Sequence, residues 1–304
     1  MRIVPSTPWR ACAPLATLLL FLSPSLLTAQ TWSQVGERSQ GMGGAFVAVA
    51  DDSSGVYWNP AGLATGSTFD AQVDVATPKS RADAPSPSRR VFIGAAMPML
   101  GFAYYRVRSA VLPAADRENG GTGEVRVSSL DTQNTAVSLV QTVAKTLVMG
   151  SSLRLVNGAG STAFDLDLGG MASIGDVRVG VTARNLRRRL DTQRQARIGA
   201  AFVPRSLPTG VFGPFSAAFD VDLTRTTTEF GDRREAAVGS EQWWAKGVVG
   251  TRFGLHWNTI RGGEKAFAGG LTVKLPHSLF AEGHVTKGQL DRESNWGAGL
   301  RVTF

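Results

Sequence analysis

From about residue 67 to the C-terminus the chain alternates apolar and polar positions with a period of two, the pattern of strands with unlike faces. In "WGAGLRVTF", Trp296, Ala298, Leu300, Val302 and Phe304 share one face, and Gly297, Gly299, Arg301 and Thr303 the other. "KTLVMGSSLRLV" sets Leu147, Met149, Leu153 and Leu155 against Thr146, Gly150, Ser152 and Arg154. "PFSAAFDVDL" and "DVRVGVTARN" read in the same way, with Ser216, Asp220, Asp222, Arg178, Thr182 and Arg184 on their polar faces. A soluble sandwich turns such apolar faces inward; an outer-membrane barrel turns them toward lipid around a polar lumen. The runs are about 9–13 residues long. Soluble strands average roughly 5–6 residues, and membrane strands need about 9–11. The pattern predicts an all-β transmembrane barrel.

Strands are expected near 67–76, 90–97, 100–109, 133–143, 145–156, 161–173, 176–185, 194–203, 215–224, 233–242, 245–257, 265–274, 277–286 and 294–304. Turns at Pro98-Met99, Ala144, Gly175, Trp244 and Pro276 are short. The connections at 110–132, 186–193, 225–232, 258–264 and 287–293 are long and polar, and only 204–214 breaks the alternation. Short turns on one side and long loops on the other mark an outer-membrane barrel with periplasmic short turns. About fourteen antiparallel strands, an even number, put both mature termini in the periplasm. A lumen that wide is not filled by the wall's own side chains. Residues 30–66, ahead of the first strand, are the available plug, and 67–304 form the barrel. Trp243, Trp244, Trp257 and Trp296 fall near strand ends, where aromatic girdles belong.

The first 29 residues stand outside this pattern. Arg2 and Arg10 precede an apolar run, Leu15 to Leu27, and a small-residue exit at Thr28-Ala29. This is a cleaved signal peptide pattern, implying export through the inner membrane. The single cysteine, Cys12, lies within it, so disulfides, thiol catalysis and thiolate metal sites are excluded from the mature chain. The formal charge of +8 falls to +6 without Arg2 and Arg10, and the remaining arginines are dispersed; nucleic acid is not an expected partner. "NLRRRLDTQRQAR" sits in an outer loop, where Arg187, Arg188 and Arg189 either meet lipopolysaccharide phosphates, which suit arginine, or form a plain solvated loop.

Candidate chemistry concentrates in "GMGGAFVAVADDSSGVYWNPAGLA", residues 41–64. A phosphate loop needs Gly-Lys-Ser/Thr, and this stretch has no lysine. Gly43 and Gly44 fit close backbone packing better. Asp51, Asp52 and Ser53 could cap a short helix through "SGVYW", pair with lumen arginines, or hold calcium. Asn59-Pro60 reads as a turn starter. Gly158-x-Gly160-x-x-Ala163 matches a dinucleotide fingerprint, but a strand follows where that motif needs a helix; it reads as a tight hairpin. His256, His277 and His284 have no second ligand at metal spacing. With no Gly-x-Ser-x-Gly motif, nothing beyond an arbitrary pairing of Glu282 with Asp220 or Asp222 suggests an enzyme, and no cofactor is implied. The polar faces place Arg154, Arg178, Arg184, Arg197, Arg252, Lys274 and Arg301 opposite Asp165, Asp167, Asp220, Asp222 and Glu282. These charges either brace the wall and plug or tune a permeation path.

The 41–64 stretch resembles the N-terminal motif of the FadL superfamily of outer-membrane barrels, and is most similar to the PorV/PorQ-type branch. "AVSLVQTVAKTLVMGSSLRLVNG", "DLGGMASIGDVRVGVTARNL" and the aromatic-ended last strand agree with that branch. The resemblance spans essentially the whole mature chain. It implies a fourteen-stranded barrel whose N-terminal segment forms a hatch in the lumen. The hatch and gating residues would be Gly43, Gly44, Asp51, Asp52, Tyr57, Trp58, Asn59, Pro60 and Ala61, with Asn59-Pro60-Ala61 in its turn. Fatty-acid importers of the family are longer, and the largest outer loop here, 110–132, is made mostly of polar and small residues. The expectation is passive passage of small hydrophobic or amphipathic compounds across the outer membrane of a Gram-negative envelope. A PorV-like accessory role in protein secretion or surface attachment, with a secreted client, is the alternative. Either role implies outer-membrane lipid and lipopolysaccharide as surroundings and barrel-assembly machinery reading the strand that ends in Phe304. A lateral exit into lipid would need a kinked strand, for which Gly247, Gly250 and Gly254 point to the eleventh.

Overall fold

The computed structural model describes residues 35–78, 89–111, 128–205, 212–228, 231–260, 264–289 and 294–304. The expected signal peptide lies outside them, as do 112–127 of the largest outer loop. In chain order the strands are β1 (Asp70–Pro78), β2 (Arg90–Met97), β3 (Leu100–Val111), β4 (Ser128–Ala144), β5 (Leu147–Gly158), β6 (Ser161–Ile174), β7 (Val177–Arg184) and β8 (Gln195–Phe202). They continue with β9 (Phe212–Asp222), β10 (Thr226–Thr228), β11 (Gly231–Arg233), β12 (Glu235–Trp244), β13 (Val249–Asn258), β14 (Lys265–Lys274), β15 (Leu279–Gly288) and β16 (Asn295–Thr303). Fourteen of them close into one antiparallel barrel, and β10 and β11 form a separate small hairpin. Closure joins β1 to β16, with Asp70 opposite Thr303. Beyond that ladder the Phe304 amide donates to the Phe69 carbonyl at 2.9 Å and the Phe69 amide to Phe304 at 3.2 Å.

The faces follow the period-two reading. On β5, Met149 and Leu153 are exposed while Gly150, Ser152, Arg154 and Val156 are buried. On β16, Trp296 and Leu300 stand outward and Arg301 inward. Ile93, Phe102, Val137, Phe164, Val181, Phe219, Phe253, Phe267 and Val285 extend the exposed apolar belt around the wall. Apolar outside and charged inside is the inverse of a soluble sandwich. Leu153→Arg or Leu300→Arg is therefore expected to cost about 2–4 kcal/mol of assembly stability near the membrane midplane; the loss of the heat-modifiable band on unboiled gels measures it. Thr303→Arg, at the strand end, serves as the mild control. Ser152→Arg does not, because Ser152 is fully buried, 2.5 Å from Ser138 and donating to the Val56 carbonyl at 3.2 Å.

Several elements differ from expectation. β4 begins at Ser128 rather than 133, because it pairs with β3 as far as Val111. The 225–232 loop contains the β10–β11 hairpin. Ala159 and Gly160, both at positive φ, make the tight β5–β6 turn, so the fingerprint-like glycines serve a hairpin. Of the four tryptophans, Trp243 turns inward instead of joining a girdle, edge-to-face with Phe280 at 6.0 Å. β13, the eleventh barrel strand, pairs without interruption with β12 over Val249–Asn258 and with β14 over Val249–Trp257. It offers no gap. Its Gly254 instead lies where a Cβ would collide with Met42 and Gly43.

Candidate functional site

The buried residues ahead of β1 form α1 (Glu37–Gly41), α2 (Gly55–Trp58) and a 3-10 turn (Pro60–Thr65). Helices this short are not stable alone; packing against the inner wall holds them. Asn59 does the local work. Its extended backbone ends α2, its Oδ1 accepts from the Ala61 amide at 3.1 Å, and Pro60 supplies a preset φ for the next turn. Its Nδ2 donates to the Val47 carbonyl at 2.9 Å and to the Gly170 carbonyl of β6 at 3.1 Å, tying turn, segment and wall. Gly43 takes φ +66°, and a Cβ there would meet the Leu255 amide nitrogen at 2.8 Å. Glycine is required for both reasons. Gly44 also has positive φ.

The acidic pair resolves differently from a simple helix cap. Ser54 caps α2 with no side-chain cap bond. Asp52 Oδ1 accepts from the Ser54 amide at 2.9 Å, a local turn. Asp51 faces cations: Arg38 at 2.5 Å and Arg178 of β7 at 3.3 Å. Ser53 donates its amide to Asp70 of β1 at 2.8 Å.

Aromatic rings fill the remaining space. Trp58 donates its indole N–H to the Val35 carbonyl at 2.7 Å and packs edge-on to Phe46 and Tyr57. Tyr57 meets Tyr105 of β3 at 5.2 Å, and the Arg184 guanidinium lies 3.6 Å from the Tyr57 ring centre. Phe92, Ala103, Tyr105 and Val107 give the β2–β3 sector an apolar inner face.

The opposite sector is ionic. Arg38 binds Glu241 of β12 at 2.7 Å, and Glu241 also takes Arg252 of β13 at 2.7 Å. Arg252 reaches Glu282 at 3.6 Å, Glu282 pairs with Arg301 at 3.0 Å, and Arg301 reaches Asp70 at 3.7 Å. Glu37 Oε2 stands 2.6 Å from His284 Nδ1, whose Nε2 faces the Asn295 side chain. Burial pushes the Glu37 carboxyl up against the opposing pull of His284. Burial alone would lower the Arg38 guanidinium, yet Glu241, Asp51 and Asp52 raise it well above its ordinary value.

Most of the expected lumen charges meet in this region and its neighbours. Asp220 accepts the amides of Phe46 and Val47 at 2.7 and 2.8 Å. Arg197 pairs with Asp222 at 2.6 Å and donates to the Gly44 carbonyl at 3.1 Å. Arg154 pairs with Asp167 at 2.7 Å and Asp165 at 3.4 Å, and Arg184 reaches Asp167 at 3.4 Å. Lys274 stays outside the network, exposed at the end of β14 and 5.8 Å from the Phe280 ring. Glu37, Arg38, Asp70 and Glu241 were not singled out by sequence reasoning, and His284 was weighed only as a metal ligand. The alternation in "DAQVDV" is a signal that could have put Asp70 on a polar face, but nothing in the sequence pairs Arg38 with Glu241, 203 positions away. Among the described residues no group of three or more His, Cys, Asp or Glu could hold a metal ion.

A closed barrel with an apolar exterior and an ion-paired, occupied interior defines the class: a fourteen-stranded transmembrane barrel of the outer-membrane type. The same fold is found in the toluene transporter TbuX of Ralstonia pickettii, with TM-score 0.61 and 13% identity over 90% of this chain and 99% of that one. The Pseudomonas putida toluene transporter TodX gives 0.58 at 11% identity, over 91% of this chain and 98% of its own. A Pseudomonas aeruginosa FadL homologue gives 0.56 at 9%, also over 91% and 98%. At these identities the likeness is one of fold. No family model and no curated protein sequence matches the chain.

Proposed function

We propose that the chain is an outer-membrane barrel of the FadL superfamily through which small hydrophobic or amphipathic compounds pass passively, with residues 35–66 as its hatch. The observation that carries this reading is the asymmetric seating of that segment. It is ion-paired to the β12–β1 sector and packed through Tyr57, Phe92 and Tyr105 against an apolar β2–β3 sector. An apolar solute meets a lower desolvation cost along the apolar side than through charged groups. Two of the proteins that share the fold are described as toluene transporters. Outer-membrane lipid and lipopolysaccharide surround such a barrel, and a final strand ending in Phe304 suits recognition by barrel-assembly machinery.

Flux tests the reading. Proteoliposomes carrying the intact protein should pass a hydrophobic tracer faster than empty vesicles, and Asn59→Ala, which unties turn, segment and wall, should change that rate severalfold. Tracer flux equal to that of empty vesicles would overturn it. The motif similarity to the PorV/PorQ-type branch supports a secretion accessory as second reading. In that case exported proteins are captured on pull-down and retained inside when the gene is deleted.

A further inference from the structure

His284 of β15 is buried against α1, and both of its ring nitrogens face oxygen atoms. Nδ1 lies 2.6 Å from Glu37 Oε2, and Nε2 lies 2.5 Å from Asn295 Oδ1 of β16. A neutral imidazole carries one N–H and donates on one side only. Filling both contacts therefore takes two protons, shared between the ring and the Glu37 carboxyl. Either both sit on the ring beside a carboxylate, or one sits on Nε2 and the other on Glu37. In both arrangements the Glu37–His284 pair is neutral overall. With a single proton it carries a buried negative charge, and one contact loses its hydrogen. Gly297 of β16 gives the pair its room, since a Cβ there would lie 2.5 Å from Glu37 Oε1 and 2.7 Å from the His284 ring.

The surroundings make that charge costly. Around the pair stand Asp74 of β1, Glu241 of β12, Arg252 of β13, Glu282 of β15 and Arg301 of β16, while the inner face of β14 is Ala266, Ala268, Gly270 and Thr272. Each arginine is committed elsewhere: Arg38 and Arg252 to Glu241 at 2.7 Å, Arg301 to Glu282 at 3.0 Å. Among the described residues His284 is the one group within ion-pair distance of Glu37, and Glu37 Oε1 and Asp74 Oδ1 accept no hydrogen bond. Burial pushes the Glu37 carboxyl up, so the seated segment holds its proton more tightly than a released one. Seating is thus strongest in acid and weakens as pH rises through that raised value. We infer that Glu37, His284 and Asn295 form a proton-operated latch, which holds α1 on β15 and β16 while the pair keeps two protons and slackens when it keeps one. The inference rests on residues 35–66 being the hatch, and it gives that hatch a response to the pH of its surroundings.

Hydrogen exchange of the full chain in a neutral detergent tests this, at about pH 5.5 and about pH 8.5, either side of the ordinary imidazole range. Rates are corrected for the chemical dependence of exchange on pH, with the β5–β6 amides as internal reference. The amides of Gln40, Met42 and Gly43 close the backbone bonds of α1 and its end. Their protection should fall at least about tenfold at the higher pH. Glu37→Gln removes the need for a second proton, because its side-chain N–H donates to Nδ1 of a ring protonated on Nε2. That variant should stay protected at both pH values, a gain over the wild type at the higher one. Equal protection of the wild type at both, or a loss that Glu37→Gln retains, would overturn the latch and leave the hatch standing. Free exchange of these three amides at both pH values, with the wall still protected, would overturn the hatch reading and the latch together.

Discussion

A chain lacking residues 35–66 is expected to insert as a permanently open pore, with large ohmic current steps in planar bilayers where the intact chain gives none. The lumen of a fourteen-stranded barrel is wider than its own side chains fill, and the space is taken by Met42, Phe46, Tyr57, Trp58 and Leu63, all at most 2% exposed. Deletion also strips partners from Asp220 and Glu241, so assembly is checked by heat modifiability before currents are read. A gentler variant isolates the point. Gly254→Leu leaves the wall's pairing intact but puts a side chain into the backbone of Met42 and Gly43. Residues 35–66 should then become accessible to protease, with current steps intermediate between the two. Large steps from the intact chain, unchanged by the deletion, would refute the hatch.

Arg38→Ala should have the second-largest effect. The side chain is mostly buried, 11% exposed, and serves Glu241, Asp51 and Asp52 together. Removing one partner of a buried ion pair leaves uncompensated charge, typically a loss of about 3–5 kcal/mol. The loss falls on the seating of residues 35–66 rather than on the wall, whose strands stay paired. Hydrogen exchange should therefore accelerate at Phe46, Val47 and Ala61 while the β5–β6 amides stay protected. Glu241→Gln should be milder, because Arg38 keeps Asp51. Equal exchange in wild type and Arg38→Ala would mean the ionic sector does not hold the segment.

Strand count and facing were legible in the sequence because both come from a local period. Leu153 out and Arg154 in follow from alternation alone, as do Leu300 and Arg301. The polar character of Asp220 and Arg197 was readable for the same reason, but not their task of accepting two backbone amides or donating to the Gly44 carbonyl. Those contacts are set by register around the whole barrel, which alternation does not encode. Asp51 illustrates the limit. Next to Asp52 and Ser53 it could cap a helix, pair with lumen arginines or hold calcium, and its choice of Arg38 and Arg178 depends on where β7 and α1 come to lie. The glycines of β13 misled in the opposite direction. Read along one strand they suggested a kink; in three dimensions Gly254 makes room for another part of the chain. Trp243 turned inward because it shares the inner face of β12 with Glu241, two residues before it; its contact with Phe280, three strands away around the wall, is not encoded locally.

The pairing of β1 with β16 sets the order of events during biogenesis. The ladder from Asp70–Thr303 to Pro78–Asn295 joins the first strand to the last one synthesised, the longest loop closure in the chain and entropically its slowest step. Every other neighbouring pair is hairpin-local by comparison. Until β16 arrives the wall is an open sheet with two unsatisfied edges, and such edges invite wrong partners. Residues 35–66 precede β1, and as the proposed hatch they would either occupy the concave side before the seam shuts or thread in afterward from the short-turn end. Ser53 bonded to Asp70, and Asp70 in reach of Arg301, tether the segment beside that seam. A chain ending before Asn295 would lack β16 altogether and leave the segment beside a wall that cannot close.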